Sequence, residues 1–95
     1  MYIDDFIWLP EYEDKLSFKH AVSRDETEEI FFNRPRFRFV ESGNRPNEDV
    51  FSVSGQIYAG RYLIVFFIRK TANTALIISG RDMNPTERRY YERKR

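Results

Sequence analysis

The chain contains no cysteine, a single histidine and only four glycines in 95 residues. Without cysteine it can form neither a disulfide nor a thiolate metal site, and one histidine cannot supply a His/Cys metal cluster. We therefore expect neither a metal nor an organic cofactor. The longest apolar run, Tyr62 to Ile68, is far shorter than the roughly 20 residues that a membrane-spanning helix needs. The sequence thus predicts no membrane association.

The length and the acidic start of the chain narrow its class further. A chain of this size buries roughly 60–65% of its unfolded surface, so we expect residues 1–95 to form one domain around one core. The first ten residues carry Asp4 and Asp5, where a secretory signal would be basic and then apolar. Together with the lack of cysteine, this predicts a protein of the reducing cytoplasm.

Charge is divided sharply along the chain, although the formal net charge is only +1. Residues 1–33 hold nine acidic and three basic side chains, a net charge of −6, whereas residues 34–95 hold thirteen basic and six acidic ones, a net charge of +7. Eleven of those thirteen are arginine, whose planar fork matches a phosphate group. The asymmetry predicts a polyanion as the partner of the basic half. The alternative is a solvated surface on which the two halves neutralise one another.

The N-terminal third of the chain indicates one short strand and two helices. Alternating aromatic residues predict a strand that ends at Pro10, and residues 12–20 then place apolar side chains at helical spacing. Ser23 and Glu26 form a capping box, which predicts a second helix over residues 24–33.

From residue 36 onward the apolar period changes to two, which indicates strands that bury one face. We predict strands over residues 36–41, 50–57, 61–70 and 75–79, the last three joined by hairpins. Asn84 as N-cap, Pro85 at the first helical position and Glu87 three residues after the cap predict a helix over residues 84–95. We therefore expect an α+β domain: an antiparallel sheet of about four strands, two N-terminal helices on one of its faces, and a C-terminal helix that closes the chain. The predicted core consists of Trp8, Leu16, Ile30, Phe31, Phe37, Phe39, Phe51, Val53, Leu63, Val65, Phe67, Leu76 and Ile78.

Polar residues of the chain offer the groups that RNA cleavage without a metal requires. That reaction needs a base near the 2′-hydroxyl, a donor for the leaving oxygen and cations for the charge that develops on phosphorus. Exposed aromatic rings such as Trp8 or Tyr91 can stack on bases. Each residue has a structural alternative, since a histidine often ends a helix and a tryptophan often lies in a core. The candidates for these roles are Lys19, His20, Glu48, Asp49, Arg61, Arg81 and Tyr91.

Two of these cations are predicted to meet at one end of the sheet. Arg61 opens the predicted central strand, and Arg81 closes the strand that follows it. In an antiparallel pair the start of one strand lies beside the end of the next, so both forks emerge there and could grip one phosphate. The predicted C-terminal helix begins beside them with its positive end. The alternative is that both arginines pair with carboxylates such as Asp82, Glu41 or Glu87.

Seven short motifs occur in an order that resembles the BrnT family, the toxins of BrnT–BrnA toxin–antitoxin pairs. The resemblance runs from Trp8 to Tyr91, nearly the whole chain. The motifs are Trp8, Lys19-His20-Ala21-Val22-Ser23, Glu29-Ile-Phe-Phe, Gly55-Gln56, Gly60-Arg61-Tyr-Leu-Ile-Val-Phe, Ile77-Ile-Ser-Gly-Arg81-Asp-Met and Glu87-Arg88-Arg89-Tyr-Tyr91.

The resemblance implies a RelE-like fold and a metal-independent endoribonuclease that cleaves RNA and arrests translation. It further implies neutralisation by a small DNA-binding antitoxin of the BrnA type, with operator DNA contacted only through that antitoxin. The antitoxin would dock either on the basic surface or on the acidic residues 1–33. The motifs imply catalytic roles for His20, Lys19, Asp49, Arg61 and Arg81 and RNA-binding roles for Trp8, Arg88 and Tyr91.

The chain departs from the family pattern at several positions. Leu9 follows Trp8 in place of aspartate, Ala21 replaces a glycine, and Gly80 replaces an alanine. More seriously, Asp49-Val50 stands where the family has a glutamate–arginine pair, so one cation is lost, for which Arg69 or Arg38 are the candidate replacements. The alternative function is therefore a non-catalytic RNA- or protein-binding module that has lost nuclease activity. A third is a structural domain whose arginines only solvate it.

Overall fold

The computed structural model of the protein describes residues 1–94, which form an α+β fold with five strands and three helices. Arg95, the last residue of the predicted helix 84–95, lies outside the described residues. In chain order the elements are β1 (Asp5–Ile7), α1 (Pro10–His20), α2 (Arg24–Ile30), β2 (Arg36–Glu41), β3 (Val50–Gln56), β4 (Tyr62–Thr71), β5 (Thr74–Asp82) and α3 (Pro85–Lys94).

The sheet has the strand order β1-β5-β4-β3-β2 and is mixed. The pairs β2–β3, β3–β4 and β4–β5 are antiparallel, which confirms the two predicted hairpins, whereas β1 pairs in parallel with β5. The expectation of about four antiparallel strands is therefore wrong in strand count and in direction at one edge. The reason is that β1, only three residues long, adds to a strand almost seventy residues away, a pairing that local alternation does not reveal.

The helices begin where the capping signals indicated, but two of their boundaries differ from the prediction. In α2 the Ser23 hydroxyl accepts from the Glu26 N–H, and the Glu26 carboxylate accepts from the Ser23 N–H, as a capping box requires. Asn84 and Glu87 form the same reciprocal pair at α3, over 2.8 and 2.9 Å. Helix α1 starts at Pro10 rather than residue 12, and α2 ends at Ile30 rather than residue 33. None of the helices in residues 1–94 has the length and apolarity that crossing a membrane would require.

The main core lies between the sheet and the helices α1 and α2. The predicted core residues Leu16, Ile30, Phe31, Val53, Leu63, Val65 and Phe67 are buried there, and Trp8, Phe37 and Phe51 pack against them as half-buried residues. The structure adds Ile3, Val22, Ile57, Ala75 and Ile77 to this core. The prediction was wrong for Phe39, which is 56% exposed because its strand extends past the helices.

The prediction of which β5 side chains point into the core was also wrong, because the strand contains a bulge. Ala75 and Ile77 are buried, whereas the predicted Leu76 and Ile78 are only half-buried. The register shifts at this point, since Phe66 pairs with Ser79 and Phe67 with Ile77, which leaves Ile78 as the extra residue. An extra residue reverses the alternation on either side of it.

Helix α3 is associated with the other face of the sheet. Tyr91 is 1% exposed, its ring lies edge-on to Tyr62 at 6.1 Å, and its hydroxyl donates to the Arg34 carbonyl over 2.9 Å. Only part of this face is covered by α3. The remaining part forms the groove described below.

Candidate functional site

Arg61 immediately precedes β4 and forms hydrogen bonds with the end of α1. Its guanidinium donates to the carbonyls of His20 and Ala21, each over 2.7 Å, and to the Asp82 carboxylate over 2.6 and 3.2 Å. Glu26 lies 3.3 Å from the same group. A cation that satisfies the last carbonyls of a helix is stabilised by the helix dipole. Arg61 is thus engaged on every side by groups of the fold itself.

Arg81 makes a two-pronged ion pair with Glu87 of α3. Its terminal nitrogens donate to the two carboxylate oxygens over 2.7 and 2.9 Å, and one also donates to the Asp82 carbonyl. The hydrogen bonds from Arg81 hold the pKa of Glu87 below its ordinary value, with a further contribution from the backbone N–H of Asn84. Glu87 therefore stays ionised at neutral pH.

The two arginines lie at the same end of the sheet, as predicted, but on opposite faces. Leu63 pairs with Asp82 and Ile64 with Arg81, and neighbouring residues of a strand point to opposite faces. Arg61 accordingly contacts α1 and Asp82, whereas Arg81 contacts α3. The expectation that both guanidinium groups bind one phosphate is therefore wrong for this arrangement. The structure contains the alternative, in which each arginine pairs with a carboxylate.

The remaining predicted catalytic residues do not join these arginines in one pocket. His20 is half-buried at the end of α1, where its charge contributes to a lowered pKa of Asp82 after the larger effect of Arg61, and Lys19 beside it is exposed. Asp49 precedes β3 at the other end of the sheet, where its carboxylate accepts from the Gly43 N–H. Because β3 has seven residues, this separation is about 20 Å at roughly 3.3 Å per residue.

The predicted RNA-binding residues are also dispersed. The Trp8 indole N–H donates to Glu28 over 2.7 Å, and Arg24 lies over its ring, so Trp8 belongs to the acidic side of the molecule. Arg88 lies 4.1 Å from the centre of the Tyr62 ring. Tyr91 is buried, so the expectation of an exposed stacking ring is wrong for this residue. The sequence does not reveal this, because Tyr90 and Tyr91 are adjacent residues of the same type and only packing decides which one faces inward.

The structure instead offers a groove between α3 and the sheet face formed by β2, β3 and β4. We call it the sheet groove, and its volume is about 520 Å³. Serine hydroxyls and apolar side chains of the strands form its floor, and arginines and α3 form its walls. Its lining comprises Arg36, Arg38, Phe39, Val40, Ser52, Ser54, Ile64, Phe66, Thr86, Glu87, Tyr90 and Tyr91.

Two arginines of β2 approach the ring of Tyr90 in this groove. The guanidinium carbons of Arg36 and Arg38 each lie 5.5 Å from the centre of its ring. Arg89 and Arg93 line an adjoining hollow that also includes Tyr90. An aromatic ring with cations beside it can stack a base while the cations hold phosphates. The sequence contained a signal for this pair of arginines, because Arg36 and Arg38 are two residues apart in a strand and therefore lie on the same face.

The chemistry of the sheet groove is that of an anion-binding site more than of an acid–base site. Within the lining, the ionisable side chains are two arginines, Glu87 and two tyrosines, and no histidine is among them. Of the proposed substitutes for the missing family arginine, Arg38 lies in the groove, whereas Arg69 donates to the Ala72 carbonyl at the other end of the sheet. Among the described residues, no group of three or more His, Cys, Asp or Glu side chains is placed to hold a metal.

No protein-family model matches this chain, and no curated protein matches it. The resemblance of its motifs to the BrnT family therefore stays a prediction.

Proposed function

We propose that the protein binds RNA in the sheet groove and acts as the endoribonuclease toxin of a toxin–antitoxin pair. The observation that carries the proposal is the approach of Arg36 and Arg38 to the ring of Tyr90, each guanidinium carbon 5.5 Å from its centre, at a groove whose wall includes Glu87. The ordered motifs that resemble the BrnT family support the reaction, and the groove supports the substrate.

The charges around the groove favour a single-stranded polyanion. Arg38 makes no ion pair with any described carboxylate, so a phosphate can occupy its fork without displacing a carboxylate. Arginine forks bind phosphate in a two-pronged geometry, and each phosphate contact releases bound counterions. A base stacked on Tyr90 would then lie beside the phosphate contact of Arg38. Double-stranded nucleic acid has no unstacked base to offer this ring.

Cleavage at this groove would use Glu87 of its wall and Arg81, which pairs with Glu87 but does not line the groove. In such a reaction the 2′ oxygen bonds to phosphorus, the bond to the 5′ oxygen breaks, Glu87 takes the proton of the 2′-hydroxyl, and the leaving oxygen takes a proton from water. Arg81, released from Glu87 when that carboxyl becomes protonated, would stabilise the charge on phosphorus. A carboxylate with a lowered pKa is a weak base, so we expect slow turnover.

A second candidate function is a non-catalytic RNA-binding module. It is favoured by the engagement of both Arg61 and Arg81 with carboxylates, and by the lack of a histidine in the groove lining. In this case RNA would be retained on Arg36, Arg38 and Tyr90 without being cut.

As a toxin, the protein would act in the bacterial cytoplasm and be neutralised by a small DNA-binding antitoxin. The complex of the two would repress their own operon, so operator DNA would be contacted through the antitoxin. An adjacent gene for a small DNA-binding protein would support this part of the proposal.

The two functions are separated by inducing the chain alone in a bacterium and following growth and RNA integrity. The variant Arg38→Gln removes one cation of the groove, and Arg45→Gln removes another exposed arginine, in the β2–β3 loop, as a control. Growth arrest with fragmented RNA, relieved by Arg38→Gln but not by Arg45→Gln, supports the toxin. RNA that co-purifies intact with the wild type supports the binding module. If the chain neither arrests growth nor binds RNA, both proposed functions are contradicted.

A further inference from the structure

The strand β2 forms one border of the sheet and has an open outer edge. It pairs with β3 on one side, and no strand of residues 1–94 pairs with its other side. Phe39 is 56% exposed and Val40 is 44% exposed on this edge. Open edge strands are templates for a further strand, and proteins usually protect them with lysine, proline or a covering element. In β2 the charged residues Arg38 and Glu41 are exposed as well, and a bulge at Val40 interrupts the pairing with β3, so the edge open to a further strand is residues 36–39.

The two faces of β2 differ in chemistry. Arg36 and Arg38 point to the sheet groove, where both approach Tyr90. Phe37 and Phe39 contact aromatic rings of the opposite face, where Phe37 lies 6.1 Å from Phe67 and Phe39 lies edge-on to Phe51 at 5.7 Å, and Phe39 also borders the sheet groove. Over residues 36–39 the open edge therefore presents cations and aromatic rings alternately, and the alternation ends at the bulge at Val40.

A strand added to this edge would face that alternation residue by residue. Side chains directly opposite each other on one face of a sheet have Cβ atoms about 4.5–5.5 Å apart. Carboxylates would thus lie opposite Arg36 and Arg38, and apolar side chains opposite Phe37 and Phe39. Arg38 makes no ion pair with a described carboxylate, so its charge is available to a partner.

We propose that the open edge of β2 receives an extended peptide segment of a partner protein in which acidic and apolar residues alternate, as a sixth strand of the sheet. Backbone hydrogen bonds supply the affinity of such a contact, and the alternating side chains supply its specificity. Charge complementarity on one face and apolar contact on the other select this peptide over a basic or a uniformly polar one.

The peptide and RNA would exclude one another, because both use Arg36 and Arg38. This consequence rests on the proposed function, whereas the peptide site itself does not. Binding of peptide to the protein alone and displacement of RNA by peptide are separate measurements. Peptide binding without RNA binding would retain the site and reject the proposed function.

The test uses the full chain and a fluorescein-labelled seven-residue peptide in which glutamate and valine alternate, with fluorescence anisotropy as the readout. We expect saturable binding that weakens roughly 1.5- to fivefold in Arg38→Gln, as for loss of one exposed ion pair in a contact. Arg45→Gln should leave it unchanged. A peptide with the four glutamates first and the three valines after them should bind more weakly than the alternating one. Equal binding of the two peptides would overturn the proposal.

Two further probes distinguish strand addition from simple charge attraction. Peptides N-methylated on one or the other set of alternate residues keep their charge but lose the N–H groups along one edge. Only one of the two should lose binding, and loss or retention in both would contradict strand addition. The variant Arg38→Glu should prefer an alternating lysine–valine peptide. A concentration-dependent dimer that Arg38→Glu dissolves, with no peptide binding, would assign the edge to a second copy of this chain and overturn the proposal.

Discussion

Replacing Arg61 by alanine should lower the stability of the fold, because this side chain joins β4 to the end of α1, to α2 and to β5. The substitution removes two charged hydrogen bonds to the carbonyls of His20 and Ala21 and an ion pair with Asp82. The carbonyls lie at the end of α1, where water can partly replace the lost donor. Arg61→Lys keeps the charge but cannot span the same acceptors with one ammonium group.

The size of the effect follows from these contacts. A hydrogen bond to a charged group contributes about 1.5–3 kcal/mol when buried, and an exposed ion pair about 0.2–1 kcal/mol. The Arg61 side chain is 25% exposed and that of Asp82 is 61% exposed, so water weakens these contacts and each contributes less than the lower end of the range for a buried hydrogen bond. We expect a loss of roughly 2–3 kcal/mol for Arg61→Ala, taking about 1 kcal/mol for each carbonyl bond and less for the ion pair.

The assay is thermal unfolding followed by circular dichroism, with Arg45→Ala as a control of equal charge change. At about 4–8 °C per kcal/mol for a domain of this size, Arg61→Ala should lower the Tm by roughly 10–20 °C, with Arg61→Lys in between. A Tm within about 3 °C of the wild type would refute a structural role for Arg61. It would return this arginine to the list of candidate phosphate ligands.

Two further predictions concern stability. Ala21 ends α1 with a left-handed φ of 52°, where glycine avoids a penalty of roughly 1 kcal/mol, so Ala21→Gly should raise the free energy of unfolding by about that amount in urea titrations; a decrease would contradict the assignment of strain. The pKa of Glu87 is lowered from its ordinary value of 4.5, so the stability from its pair with Arg81 is complete above that value and is lost as the pH falls through the lower folded pKa. Glu87→Gln should therefore flatten the acid limb of a stability–pH curve, and an unchanged curve would argue against the pair.

Local sequence signals predicted the parts of the fold that depend on neighbouring residues. The capping boxes of Ser23 and Asn84 fixed the starts of α2 and α3, because both partners lie three residues apart. The antiparallel hairpins followed from alternation and short turns. The parallel pairing of β1 and the bulge at Ile78 did not follow, since the first depends on a contact across the whole chain and the second on one unpaired residue.

The candidate site was harder to predict, because the partners of each arginine are distant in sequence. Arg61 and Arg81 were expected at one end of the sheet and lie there, but the sequence could not show that Asp82, Glu87 and the carbonyls of α1 occupy them. Tyr90 and Tyr91 differ by one helical position, and only packing decides that the second is buried. Arg38 stayed accessible because β2 borders the sheet.

The most direct test of RNA binding in the sheet groove is the affinity of a short single-stranded RNA for the wild type, Arg38→Gln and Arg45→Gln across salt concentrations. If Arg38 contacts a phosphate, Arg38→Gln should weaken binding roughly 1.5- to fivefold and reduce the slope of log affinity against log salt by about 0.7. Arg45→Gln should change neither quantity as much. Equal affinities and slopes for the two variants would contradict binding in the groove.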